Sequence, residues 1–136
     1  MPDAEQPALL AITEDAKIRG CTTFLHAGDV IGFGPFPDET LGHLREINAA
    51  GVRGNAEEAV LAVGRTKNCP AGMDKKRCAR HRRTWKKLSD AGRALLFAMP
   101  AEIRFTWGGQ RIAVMHHPAS PENVCAETPE PELERL

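Results

Sequence analysis

The chain has 136 residues, 42% of them hydrophobic, and its 18 Lys and Arg are balanced by 18 Asp and Glu. That length predicts one domain, residues 1–136, able to bury a real core. The zero formal net charge gives no global bias toward nucleic acid or acidic membranes. No apolar run is long enough to span a bilayer, and no charged segment followed by an apolar one opens the chain as a secretory signal would. The expectation is a cytoplasmic protein without membrane contact, with Cys21, Cys69, Cys78 and Cys125 kept reduced.

The first predicted element is a helix from Pro7 to about Arg19. Its apolar positions 9, 10, 12, 16 and 18 repeat at helical spacing, and Gly20 ends it. Thr22 to Ala27 reads as a short β-prone run leading into Gly28-Asp29 and a glycine-rich loop to Pro37. Asp38 to Asn48 reads as a helix with Leu41, Leu44 and Ile47 on one stripe. Val52-Arg53 is a short strand, and Glu57 to Val63 is helical. A loop from Thr66 to Asp74 holds Pro70 and Gly72. Two helices follow, Arg77 to Leu88 and Asp90 to Met99, with Ser89 as the N-cap between them. Glu102 to Trp107 and Gln110 to Met115 flank Gly108-Gly109 as a hairpin. Thr128-Pro129 has the form of an N-cap and first turn opening a terminal helix. Trp85 and Trp107 fall in amphipathic elements and read as packing residues.

Three of these elements end in a metal-binding type of side chain. Asp29 follows the run at 22–27, Asn55 follows Val52-Arg53-Gly54, and His116 follows Arg111–Met115. Carboxylate, amide oxygen and imidazole form a mixed hard and borderline donor set, suited to Zn, Mn, Fe or a similar ion. His117 adjoins His116 and is a further candidate ligand.

With these residues in place, the chain resembles the calcineurin-like metallophosphoesterases, in particular the small bacterial phosphatases and phosphodiesterases of that superfamily. Their blocks run Asp-x-His-x-Asn, Gly-Asp-x-x-x-x-Gly-Pro, Gly-Asn-His-Asp, a His-Gly strand end, and Gly-His-x-His. The second block is intact here as Gly28-Asp29 through Gly34-Pro35. The third stands as Gly54-Asn55-Ala56-Glu57 and the fourth as Met115-His116-His117. Pro7-Ala-Leu-Leu, Leu88-Ser-Asp and Thr128-Pro-Glu extend the likeness. Counting back, Met1, Asp3 and Glu5 stand where the family has its first Asp, His and Asn, and Leu136 comes before any Gly-His-x-His.

The resemblance implies an α/β fold, a truncated metallophosphoesterase-like β-sheet core flanked by helices. It implies a divalent metal (Mn, Zn, Fe or Ni) held by Asp29, Asn55, His116 and His117, with Asp29 and His116 as the catalytic pair. The implied activity is hydrolysis of a phosphoester small molecule or nucleotide. Ala56 replaces the histidine that assists the leaving group, which predicts a rate about 10²- to 10⁴-fold lower. The strand at 22–27 would lack its neighbour in the sheet, and an unpaired apolar edge predicts a homodimer or higher oligomer.

Other readings compete. The degenerate motifs would also suit an inactive relative that binds a metal or partner. The stretch 75–87 carries Lys75, Lys76, Arg77, Arg80, Arg82, Arg83, Lys86 and Lys87, which would suit a nucleic-acid-binding module or a solvated helix face, while Glu127 to Glu134 load the other end. Cys78 and His81 share a helical face, with Cys69 close in sequence, a weak pattern for zinc.

Overall fold

The computed structural model describes residues 5–117. The expected helix from Pro7 runs as α1, Glu5–Ile18, and closes where Gly20 turns left-handed at φ +86°. There the N–H of Cys21 reaches back to the carbonyl of Ala16, a glycine-based helix end. Met1 and Asp3 lie outside the described residues, as do Cys125, the acidic C-terminus and the helix expected from Thr128.

The strand expected at 22–27 is shorter. Only β1, Leu25–His26, pairs, and it does so in parallel with β2, Ala50–Gly51. The second strand therefore lies two residues ahead of the expected Val52-Arg53. The N–H of Val52 still reaches the carbonyl of His26, but Arg53 donates to Pro100 instead, at 2.8 Å. The ladder ends there because the chain turns toward a different partner.

Between these strands, α2, Pro37–Glu46, starts with proline in its first turn and ends near Asn48 at φ +51°. After β2 come α3, Asn55–Arg65, and α4, Lys75–Lys87, which pack against each other. No side chain fits at Gly64, where the indole of Trp85 lies against α3. Asp74 caps α4 by accepting the N–H of Arg77 at 2.9 Å.

Next is α5, Asp90–Ala98, capped by Ser89 through the N–H of Gly92 at 3.0 Å. Asp38 of α2 accepts from both the N–H and the hydroxyl of Ser89, at 2.9 and 2.8 Å, and so locks α2 to the start of α5. The hairpin is β3, Glu102–Trp107, and β4, Gln110–Met115, antiparallel. Both turn glycines have positive φ, at 56° and 79°, as a tight two-residue turn requires.

The described residues thus form a mixed α/β fold of five helices and two small sheets. The core joins Ile31, Leu41, Val60, Leu61, Leu88 and Leu96, with Trp85 and Met99 against it. Trp107 departs from expectation. It is 61% exposed, because it sits at the hairpin end beyond the helices' reach. Among the described residues, no helix is long and apolar enough to cross a membrane.

The cysteines also depart from expectation. Cys69 and Cys78 form a disulfide, with their Cα atoms 5.8 Å apart, while Cys21 is free and exposed. The reduced state followed from an expected compartment. Here the 66–74 loop folds back on α4 and brings the two sulfurs together. A bonded pair of thiols cannot serve as thiolate ligands, so a zinc site from Cys69, Cys78 and His81 does not form. For a loop of this length the crosslink is worth about 2–3 kcal/mol. Cys69→Ser is expected to lower unfolding stability by about that amount. Dithiothreitol should do the same to the native chain and nothing further to the variant, as read by urea denaturation.

Candidate metal centre

The loop after β1 is organised by one buried carboxylate. Glu57, fully inaccessible to solvent, accepts the N–H of Gly54 at 2.7 Å, of Asp29 at 2.8 Å and of Ile31 at 3.0 Å. It sits in the first turn of α3, three residues after Gly54, so it closes the helix start and clamps the 29–31 backbone together. The loop fits only with glycine at two points. A β-carbon at Gly28 (φ +90°) would stand 2.6 Å from the Gly54 nitrogen, and one at Gly54 would collide with Asp29.

Asp29 itself is left-handed, at φ +55°, a conformation that aspartate tolerates better than most residues. The turn aims its carboxylate at α3. Oδ1 accepts the N–H of Ala56 at 2.9 Å, at the positive end of the helix. Oδ2 lies 3.5 Å from Nε2 of His116. His116 arrives from the end of β4, and its Nδ1 donates to the carbonyl of Ala27 at 2.7 Å. A carbonyl can only accept, so Nδ1 carries a proton. On the other side of the ring, Nε2 faces Oδ1 of Asn55 at 3.2 Å and Oδ2 of Asp29 at 3.5 Å.

Asp29, Asn55 and His116 thus come together at one point. His117 stands next to them. It is exposed and packs edge-on against the His116 ring, centroids 4.4 Å apart. Among the described residues, no group of three or more His, Cys, Asp and Glu is arranged to hold a metal. This cluster supplies one carboxylate and one imidazole, with an amide oxygen as its third donor.

Two histidines sit close to this machinery. His26 lies against Gly51, and burial lowers its proton affinity below the ordinary 6.5 although Glu57 opposes the shift. His81, on α4, is 1% exposed, and neither ring nitrogen has a hydrogen-bond partner among the described residues. Burial lowers its proton affinity too, Arg80 and Arg77 add to the effect, and Asp29 opposes it.

The basic stretch is partly structural. Arg82 donates to the carbonyls of Thr66 and Asn68, at 3.1 and 3.2 Å, and Lys87 to that of Pro35 at 2.9 Å. Arg80 lies over the ring of Phe33, 4.6 Å from its centroid. Of these organising residues, Glu57 could have been found in the sequence, since Gly54-x-x-Glu57 has capping spacing. His81 could not, because its place beside the loop comes from the packing of α4.

No protein-family model matches the chain, and no curated protein does. Among solved structures, the chain is similar to hypothetical protein PH1004 from Pyrococcus horikoshii OT3, with a TM-score of 0.63 at 18% identity over 86% of this chain. The match spans 55% of that protein's length. At such low identity the likeness concerns the fold alone.

Two outcomes follow from this geometry. Glu57→Ala leaves three N–H groups without an acceptor, two of them in buried bonds, at about 1–3 kcal/mol for each buried one, and is expected to unfold the chain or cost several kcal/mol by urea denaturation. The lowered proton affinities of His26 and His81 make stability depend on pH. The unfolded chain takes up protons first, near pH 6.5, so stability present above that value is lost as pH falls through the lower folded values. The urea midpoint should therefore fall between pH 8 and pH 5, and His81→Phe should flatten part of that slope.

Proposed function

We propose that the chain binds one divalent metal ion (Mn, Zn, Fe or Ni) through Asp29, Asn55 and His116 and hydrolyses phosphoesters slowly. The observation that carries this reading is the meeting of a carboxylate, an amide oxygen and an imidazole at one point. Nε2 of His116, whose ring is anchored by the Ala27 carbonyl, faces two oxygens at 3.2 and 3.5 Å. Donors about 2.1 Å from a shared ion lie about 3.0–3.4 Å from each other in octahedral or tetrahedral geometry, so the spacing fits. The side chains of Asp29 and His116 are 33% and 20% exposed, which leaves room for water and substrate.

A bound ion would supply Lewis acidity and lower the pKa of a coordinated water. The protein's own part is positional. Ala27 and Glu57 hold the imidazole and the carboxylate in place before anything binds. Arg80 and Lys87, lying along the loop, favour an anionic substrate. Ala56 can donate no proton, so the departing alcohol depends on solvent, consistent with weak turnover. The resemblance to metallophosphoesterases belongs to this proposal and supports the choice of phosphoesters.

The decisive experiment is elemental analysis with calorimetric titration of Mn and Zn, followed by assay of bis-p-nitrophenyl phosphate. Near-stoichiometric metal is expected. Asp29→Ala and His116→Ala should each lose both metal and turnover. Retention of full turnover in Asp29→Ala would overturn the proposal, as would the absence of any metal binding.

A further inference from the structure

Three buried polar atoms without partners cluster on one turn of α4. They are Nε of Arg80 and both ring nitrogens of His81. Each such atom forgoes a hydrogen bond that it would make in water, and three together call for a missing partner. Their surroundings show what kind. Burial is the main cause that lowers the proton affinity of His81; Arg80 and Arg77 add to it and Asp29 opposes it, so two guanidinium charges and one carboxylate act on the ring. Among the described residues, none of the Lys or Arg of α4 has a carboxylate within salt-bridge distance.

The patch lies against the Gly32–Phe33 part of the loop. A β-carbon at Gly32 would stand 3.0 Å from that of Ala56 and 3.5 Å from Nδ1 of His81. The absence of side-chain bulk at Gly32 and Ala56 therefore keeps the imidazole close to the start of α3, the turn that also carries Asn55. Phe33 covers the group from outside. Its ring is 60% exposed, edge-on to His81 at 6.3 Å and beneath the Arg80 guanidinium. Exposed side chains change rotamer within nanoseconds, and Phe33 is such a side chain.

We propose that Arg80 and His81, with Arg77 at the rim, form a binding subsite for a phosphate group, and that Phe33 is its cover. A tetrahedral oxyanion accepts from several donors at once. It matches the arginine fork, and a neutral imidazole always keeps one N–H to give. The subsite lies beside the loop that carries Asp29, so its ligand would be a phosphate-bearing molecule reaching that carboxylate. This inference goes beyond the metal reading and stands without it, because the donors are present whether or not a metal binds.

The test uses the full chain in EDTA, with inorganic phosphate as the probe and chloride at matched ionic strength as the control for screening. Phosphate is expected to raise the melting temperature of the native chain and to perturb the His81 ring resonances. Asp29→Asn removes a negative charge that acts on His81 and should bind phosphate at least as well as the native chain. Arg80→Gln and His81→Phe should weaken phosphate binding about tenfold or more. The phenylalanine variant refills the buried volume, and its own melting temperature and circular dichroism report whether it is folded. Should it not fold, Arg80→Gln alone decides the matter. Equal phosphate responses in the native chain and Arg80→Gln would overturn the proposal, as would no response in the native chain. Loss of the response in Asp29→Asn would assign the binding to the metal centre instead, and would also overturn it.

Discussion

The carboxylate of Glu57 is the constraint on which the rest of the site depends. It accepts three backbone N–H groups from two separate segments, the 29–31 loop and the start of α3. Neither segment has a regular ladder there to satisfy those groups. Without the acid, the loop would leave its N–H groups facing a dry interior. With it, the loop closes tightly enough that Gly28 and Gly54 nearly touch, and Asp29 is forced left-handed. The orientation of the Asp29 carboxylate therefore follows from a residue 28 positions away in sequence.

The three donors owe their convergence to anchors outside themselves. Asp29 is fixed by the Ala56 N–H, Asn55 by its place in the first turn of α3, and His116 by the Ala27 carbonyl. Such anchoring holds the three side chains against one another in the folded chain. The stability that holds it comes from elsewhere: the core of Leu41, Val60, Leu61 and Leu96, and the Asp38–Ser89 lock between α2 and α5.

The α4 helix has two faces with different work. Cys78, His81 and Thr84 point inward, and the disulfide through Cys78 ties the preceding loop down. Arg80, Arg82 and Lys87 reach sideways to Phe33, Thr66, Asn68 and Pro35. A run of basic residues that looked like a single solvated or nucleic-acid-binding stripe is thus divided. Some of its charges brace loops, some remain in solvent, and Arg80 sits beside the candidate metal centre.

Much of the fold was legible in the sequence because its signals are local. Gly20 ended α1, Ser89 capped α5 and Gly108-Gly109 made the hairpin, each through backbone chemistry within a few residues. The donor types Asp29, Asn55 and His116 were legible as well, since each follows a short apolar run. What the sequence could not determine depended on contacts between distant segments. The two-residue length of β1, and the shift of its partner to Ala50–Gly51, follow from where Arg53 finds a carbonyl at Pro100. The exposure of Trp107, the pairing of Cys69 with Cys78, and the burial of His81 all follow from how the hairpin, the 66–74 loop and α4 dock. The sequence by itself determined which chemical groups stand at the ends of which elements, because propensity and turn chemistry act over a few residues. Only the tertiary structure decided that three of those groups meet, because their meeting needs anchors drawn from three separate parts of the chain.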